Sequence, residues 1–296
     1  MKALRTVSEL RAELAPARRS GLRIGLVPTM GALHDGHLSL IRRARRDCDV
    51  VVVSLFVNPA QFNEASDLER YPRDEAGDRR LAEEAGADVL FAPSAEEVYP
   101  AGFSSSVEVL GVTERLEGEA RGAEHFRGVT TVVTKLLGMA QPDVAYFGQK
   151  DAQQLLVIRR LVEDLNLPVE IVGLPTVREP DGLAMSSRNA LLTASERARA
   201  RSLSQALAAA AVLAGEGEES AAALLDCARR TLLDGGAEPD YVALVDPRSF
   251  EPLERLTGEG LLVIAARVGG VRLIDNGLIA PVRQPAQGKA IAACNA

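Results

Sequence analysis

Cysteine, lysine, histidine and excess positive charge are all scarce in this 296-residue chain, and each scarcity removes a class of protein. Cys48, Cys227 and Cys294 stand far apart and are odd in number, so neither a disulfide framework nor a zinc-type spacing can be read. They fit reduced thiols in a cytoplasmic protein. No run approaches the roughly 20 apolar residues that a membrane span needs. The N-terminal Met1–Arg5 leads into a charged amphipathic segment rather than a signal peptide. A net charge of −7 argues against general nucleic-acid binding. What is left is a soluble globular chain long enough for two domains.

Of the 34 basic residues only Lys2, Lys135, Lys150 and Lys289 are lysines. A chain that otherwise uses arginine keeps lysine where a compact ammonium is useful, although chance placement serves equally well for Lys135. Histidine is scarcer still. Two of the three stand three residues apart in Pro28-Thr29-Met30-Gly31-Ala32-Leu33-His34-Asp35-Gly36-His37. An apolar run precedes this segment and a helix-like pattern follows, so it reads as strand, glycine-bearing loop and helix start. The unpaired amides of a first helical turn attract anions, and phosphate contact is the favoured role of the pair. A cap or surface role stays open. Metal ligation is disfavoured, since no HExxH pattern or nearby third ligand accompanies the pair.

Short β-branched runs alternate with helical patterns over the first 190 residues. Strands are expected at 22–27, 50–57, 88–92, 144–147 and 169–174, and helices at 38–46, 74–85, 126–139 and 152–166. This alternation predicts an α/β fold with a doubly wound parallel sheet. In such sheets ligands bind beyond the carboxyl ends of the strands. Pro28–His37, Asn58–Phe62, Gly148–Asp151 and Val177–Asn189 all fall there. A change of composition after Asn189 predicts a smaller, lid-like α+β domain over 190–283. It has a helix entrance at Thr193–Glu196, a helix at 220–233, and strands near 240–245, 260–268 and 271–274. Residues 284–296 read as a flexible tail.

The segment His34-Asp35-Gly36-His37 resembles the H-x-G-H signature of the adenylyl-transferring superfamily that includes class I aminoacyl-tRNA synthetases. With Pro28–Leu33 ahead of it, the segment is similar to the pantothenate synthetase (pantoate–β-alanine ligase) family. Further segments resemble that family in order and spacing: Phe56-Val57-Asn58-Pro59-Ala60-Gln61-Phe62, Tyr71-Pro72-Arg73, His125-Phe126-Arg127-Gly128, Tyr146-Phe147-Gly148-Gln149-Lys150-Asp151 and 177–189. The resemblance covers nearly the whole chain. It implies a Rossmann-like catalytic domain over 1–189, a homodimer, and ATP-dependent condensation of (R)-pantoate with β-alanine through pantoyl-adenylate, on the route to coenzyme A.

The same resemblance implies roles. His37, His34 and Lys150 would be catalytic, with His37 a general acid. ATP would meet Met30, Gly31, Ala32, Leu33, His34, Asp35, Gly36 and His37. It would also meet Gly148, Gln149, Lys150, Asp151, Val177, Met185, Ser186, Ser187 and Arg188. Gln149 stands where the family often has Glu, so it offers a neutral amide in place of a carboxylate. Gln61 and Gln154 would hold pantoate, with Pro28, Met30 and Val133 as apolar walls and Asn58, Tyr71 and His125 as further pocket candidates. ATP chemistry implies Mg²⁺, for which Asp78 is the candidate ligand, a solvated helix face being the alternative. A nucleotidyltransferase that keeps AMP in its product, or a silent nucleotide-binding regulator, are the competing readings.

Overall fold

The computed structural model describes residues 1–63 and 65–281. The expected tail over 284–296 and the last two residues of the expected second domain lie outside the described residues. The chain begins with β1 (Lys2–Leu4), α1 (Val7–Arg19), β2 (Ile24–Thr29), α2 (Asp35–Asp47) and β3 (Val50–Leu55). Next come α3 (Ala65–Arg70), α4 (Glu75–Glu84), β4 (Val89–Phe91), α5 (Ala95–Val98), α6 (Glu117–Arg121) and α7 (Ala123–Ala140). The strand β5 (Val144–Gly148), the helix α8 (Ala152–Asp164) and the strand β6 (Glu170–Leu174) complete the first part.

These strands form one parallel sheet in the order β1-β4-β3-β2-β5-β6. Side chains alternate between its faces, and both faces are dry. Ile24, Leu26, Val52, Val89, Phe91, Ala145 and Phe147 join a core under α1, α7 and α8. Val27, Val51, Val53, Leu90, Val144 and Tyr146 join the opposite core under α2 and α4. Burial on both faces explains why β3 reads as an almost unbroken valine run. The chain moves outward from β2 to β3 and β4, then returns to place β5 on the other side of β2. The carboxyl ends of β2 and β5 therefore flank the point where winding reverses, where a doubly wound sheet opens a crevice.

The later part contains α9 (Ala194–Ala200), α10 (Ser202–Gly215), α11 (Ala221–Asp234) and a three-stranded antiparallel sheet. Its strands are β7 (Glu238–Val245), β8 (Gly260–Val268) and β9 (Val271–Ile279), in that order. Alanines at 206, 210 and 214 on α10 are buried and let the helix lie close to its neighbours. A fourth apolar cluster, around Phe250 and Val263, reaches back to Val112 and Leu116 of the first part.

Three details differ from the sequence expectation. The N-terminal segment holds β1, which is too short to leave a periodic signal, and α1, started by a Thr6–Glu9 capping box. The capping box at Thr193 and Glu196 is present, but the helix it starts ends at Ala200 and α10 restarts at Ser202. Finally, β9 runs five residues past Ile274, straight through Asp275-Asn276-Gly277.

Candidate active site

A cleft of about 220 Å³ opens at the carboxyl ends of β2, β3, β5 and β6. Its first wall is the turn from β2 into α2. Gly31 has φ +88° and Ala32 φ +50°, a left-handed pair that turns the amides of Ala32 and Leu33 away from the cleft. Both amides donate to one buried carboxylate, Asp78, at 2.9 and 2.6 Å. A Cβ at Gly31 would meet that carboxylate, so glycine is required there.

His34 caps α2 with its ring: Nδ1 accepts the Gly36 N–H at 3.2 Å. The His37 Nδ1 accepts the His34 N–H at 3.4 Å, and the two rings lie 4.1 Å apart. Backbone N–H groups are obligate donors, so in the neutral rings both protons sit on Nε2. Gly36 leaves room for this arrangement, because a Cβ there would press on the His34 ring. Burial, reinforced by the Lys150 charge, pushes the His34 pKa down to about 4. Burial, then His34, then Lys150 push that of His37 down to about 3. Both imidazoles are thus uncharged donors at neutral pH.

Gly148 at the end of β5, with Lys150 and Asp151 just beyond it, lines the opposite wall. The loop after β6 adds Val177, Met185, Ser186, Ser187 and Arg188. Its base is closed by the Met185 N–H donating to the Val177 carbonyl at 3.0 Å. Asn189 donates to the Ala184 carbonyl and to Glu179, which also pairs with Arg197. Leu183 packs among the apolar residues of α10, α11 and the antiparallel sheet, so the loop is anchored in both parts of the molecule. Across the cleft, Tyr71 Oη lies 3.4 Å from Ser187 Oγ.

The cleft is also lined by Pro28, Met30, Asn58, Gln61, Val133 and Gln154. Gln61 is held on both sides: Asn58 Nδ2 donates to its Oε1 at 3.0 Å, and its Nε2 approaches the Met30 sulfur at 3.1 Å. Tyr99 orients Asn58 through a 2.8 Å bond to Oδ1. Val129, Val132 and Leu136 join Val133 here at helical spacing on α7, an i, i+3, i+4, i+7 stripe that periodicity alone could have marked. Ser39, Phe56 and Thr176 also line the cleft without having been singled out. Ser39 lies in the first turns of α2, and Thr176 directly precedes Val177.

Several expected contacts are corrected by the geometry. Asp78 is 3% exposed, and its carboxylate is taken up by two amides behind the loop. It is a latch for the loop, neither a metal ligand in the cleft nor part of a solvated face. His125 does not line the cleft; it is buried behind Gln61, whose carbonyl lies 3.0 Å from its Nδ1. That carbonyl requires an N–H on Nδ1, the opposite tautomer to His34 and His37. Leu33 points into the core, Asp35 and Gln149 are exposed, and Gly31 and Ala32 serve the turn.

Comparison with known proteins agrees across nearly the whole chain. The family model described as Pantoate-beta-alanine ligase matches residues 2–278. The pantothenate synthetase of Heliobacterium modesticaldum is 55% identical over 280 residues, covering 93% of this chain and 98% of that protein. The crystal structure of pantothenate synthetase from Thermus thermophilus aligns with a TM-score of 0.90 at 48% identity, covering 95% of this chain and all of that one. A pantoate-beta-alanine ligase from Francisella tularensis, complexed with beta-gamma ATP and beta-alanine, aligns with a TM-score of 0.78 at 35% identity. That alignment covers 94% of this chain and 97% of the other.

Proposed function

The chain belongs to the pantoate–β-alanine ligase family, and on that premise we propose how its cleft performs the reaction. The protein joins (R)-pantoate to β-alanine in an ATP-dependent ligation that yields pantothenate. The pantoate carboxylate attacks the α-phosphate and pyrophosphate departs, leaving pantoyl-adenylate. The β-alanine amine then attacks the acyl carbon, and AMP leaves. A carboxylate attacking a polyanion needs charge neutralisation and alignment rather than a covalent enzyme nucleophile.

The observation that carries the assignment of roles is a pair of uncharged imidazoles, with protons on Nε2, lining one cleft with Lys150 and the Ser186–Arg188 loop. His34 and His37 donate to phosphate oxygens at the start of α2, where the backbone dipole already favours anions. His37, uncharged with its pKa pushed down to about 3, would act as a hydrogen-bond donor that tightens as charge builds. Lys150 offsets phosphate charge, while Ser186, Ser187 and Arg188 receive the departing pyrophosphate. Gly148, Asp151 and Val177 face the nucleoside. Gln61 and Gln154 hold pantoate by neutral amides, which leave its carboxylate nucleophilic, against Pro28, Met30 and Val133. His125 and Asn58 position Gln61, and Tyr71 closes toward Ser187.

The residues do not fit a protein-held metal. Among the described residues no group of three His, Cys, Asp or Glu could hold an ion, and Asp78 is occupied by the loop amides. Mg²⁺ would therefore be held chiefly by the ATP phosphates and water. We also propose a cytoplasmic homodimer that binds neither nucleic acid nor membrane. The free thiols of Cys48 and Cys227, the acidic balance and the exposed Phe103 and Leu110 support it. Sedimentation at 31.5 kDa, the mass of one chain, would overturn the dimer, and recovery in a membrane fraction the location.

One assay tests the chemistry. ATP–pyrophosphate exchange should require pantoate, and AMP and pantothenate should accumulate only when β-alanine is added. A stable adenylylated product without AMP release rejects the ligation and favours a nucleotidyltransferase.

A further inference from the structure

Asp275-Asn276-Gly277 places three residue types that strands disfavour inside β9. Pairing nevertheless continues through them, with Asp275 opposite Ile264 and Asn276 opposite Val263. Both polar side chains are buried, Asp275 at 1% and Asn276 at 9% exposure. Buried polar groups that break a local rule need compensation, and such breaks concentrate where function requires them.

The compensation comes from the other part of the molecule. Asn276 Nδ2 donates to the Gln149 carbonyl at 3.0 Å and to the Lys150 carbonyl at 2.8 Å. Two carbonyl oxygens beside one terminal atom require nitrogen there, which fixes the amide orientation. Asp275 grips the Arg178 guanidinium in a fork, with Nη1 to Oδ2 at 2.6 Å and Nη2 to Oδ1 at 3.0 Å. Arg178 follows Val177 directly, and its backbone bridges Ala184, so it sits at the base of the loop that carries Met185–Arg188. Adjacent residues on one strand of the second sheet therefore hold two separate strand ends of the first. One bears Lys150 and the other bears the Ser186–Arg188 loop.

We propose that Asp275 and Asn276 are positioning residues that set the spacing between Lys150 and the Met185–Arg188 loop across the bound triphosphate. The inference rests on the reading of the cleft as the ATP site. Neither side chain lines the cleft, so both act through what they hold. Lysine has a long flexible stem, and pinning its own carbonyl and the one before it fixes the origin from which the ammonium reaches. Asp275 does the same for the facing loop.

The test compares the wild-type protein with Asn276→Ala, Lys150→Ala and the double variant, using pantoate-dependent ATP–pyrophosphate exchange and thermal melting. Asn276→Ala should melt cooperatively yet lose about 10- to 100-fold in kcat/KM for ATP, the scale of a small misplacement at a reacting centre. In the Lys150→Ala background it should cost almost nothing more, because its effect runs through Lys150. Losses that multiply in the double variant would mean general packing and overturn the proposal. Asn276→Asp, which turns an anion toward two carbonyls, should be worse than Asn276→Ala; equal or better activity also overturns it. Should Asn276→Ala fail to fold, Asp275→Asn reads the other limb. Its KM for ATP should rise on the order of tenfold, the loss of one charge-assisted pair, and an unchanged KM rejects the idea. A wild-type protein without exchange would sink the ATP reading and this inference together. An active wild type with unimpaired Asn276 and Asp275 variants sinks the inference alone.

Discussion

The two sheets of this protein treat buried polar groups differently. Around the parallel sheet, Thr29, Ser54, Asn58, Asp78, His125 and Gln153 are all buried. Several of them hold the loops behind the cleft: Asp78 takes up the Ala32 and Leu33 amides, Asn58 bonds Gln61, and His125 meets the Gln61 carbonyl. The antiparallel sheet packs leucines, valines and the alanine stripe of α10 into a nearly apolar core. Its buried polar residues on β9, Asp275 and Asn276, face the first part. Asp78 and His125 thus serve loops that border the cleft, while Asp275 and Asn276 tie the second sheet to the first part. One part is arranged for orientation, the other mainly for dry packing.

That contrast is open to attack from both sides. The largest expected effect is at His37. His37→Ala should slow adenylate formation by about 10²–10³-fold, the usual loss for an oriented donor to developing charge, while ATP binding weakens far less. Rapid-quench measurement of the first turnover beside equilibrium ATP binding checks this, and equal losses would make His37 a binding residue only. The second variant targets the dry core. Ala210→Leu forces extra volume beside α10 and should destabilise by about 1–3 kcal/mol in urea unfolding. Its exchange activity at 25 °C should stay within about twofold, as for a site that shares no partner with the cleft. A large loss of activity in the folded variant would show that the two parts are not separable in this way.

The smallest effect is a titration. Burial, first among the causes, lowers the pKa of His34 and His125 to about 4 and that of His37 to about 3, from the ordinary 6.5. The unfolded chain then takes up protons first, so stability falls as pH drops below about 6.5 and keeps falling toward the folded values. Carboxylates held low in the fold, such as Glu75 beside Arg5, lose their contribution only below about 4.5. The window between the two belongs to the histidines. Urea midpoints should decline from pH 7 to pH 5, less steeply in His125→Asn, which keeps a donor where Nδ1 stood. A flat profile would contradict the buried neutral state. Imidazole ¹⁵N shifts offer the sharper check, with His34 and His37 protonated on Nε2 and His125 on Nδ1.

Much of this molecule was legible in the sequence because its dominant signals are periodic. The valines of β3 and the apolar stripe of α2 carry the alternation, and a doubly wound parallel sheet follows from it. The segments at the ends of β2, β5 and β6 do reach one cleft. What periodicity cannot reveal is which side of a loop a side chain serves. Asp78 sits in a helix rich in charge, and nothing local distinguishes a solvated carboxylate from one that latches amides 45 residues away. His125 is hidden for the same reason, its partner being a backbone carbonyl 64 residues distant. Asp275-Asn276-Gly277 misleads more actively, since turn chemistry there ends the expected strand at Ile274. Only the far contacts explain why the strand continues.

The capping of α2 by a histidine ring has a consequence for anyone who edits this site. Helix starts usually recruit Ser, Thr, Asp or Asn, residues with no further duty. In the proposed mechanism scaffold and chemistry share one imidazole, with Nδ1 committed to the Gly36 amide and Nε2 left for the ligand. Deleting the ring therefore confounds two measurements in one phenotype. Asparagine at 34 would retain the cap while removing the distal donor, and the difference between Asn and Ala there separates architecture from reactivity.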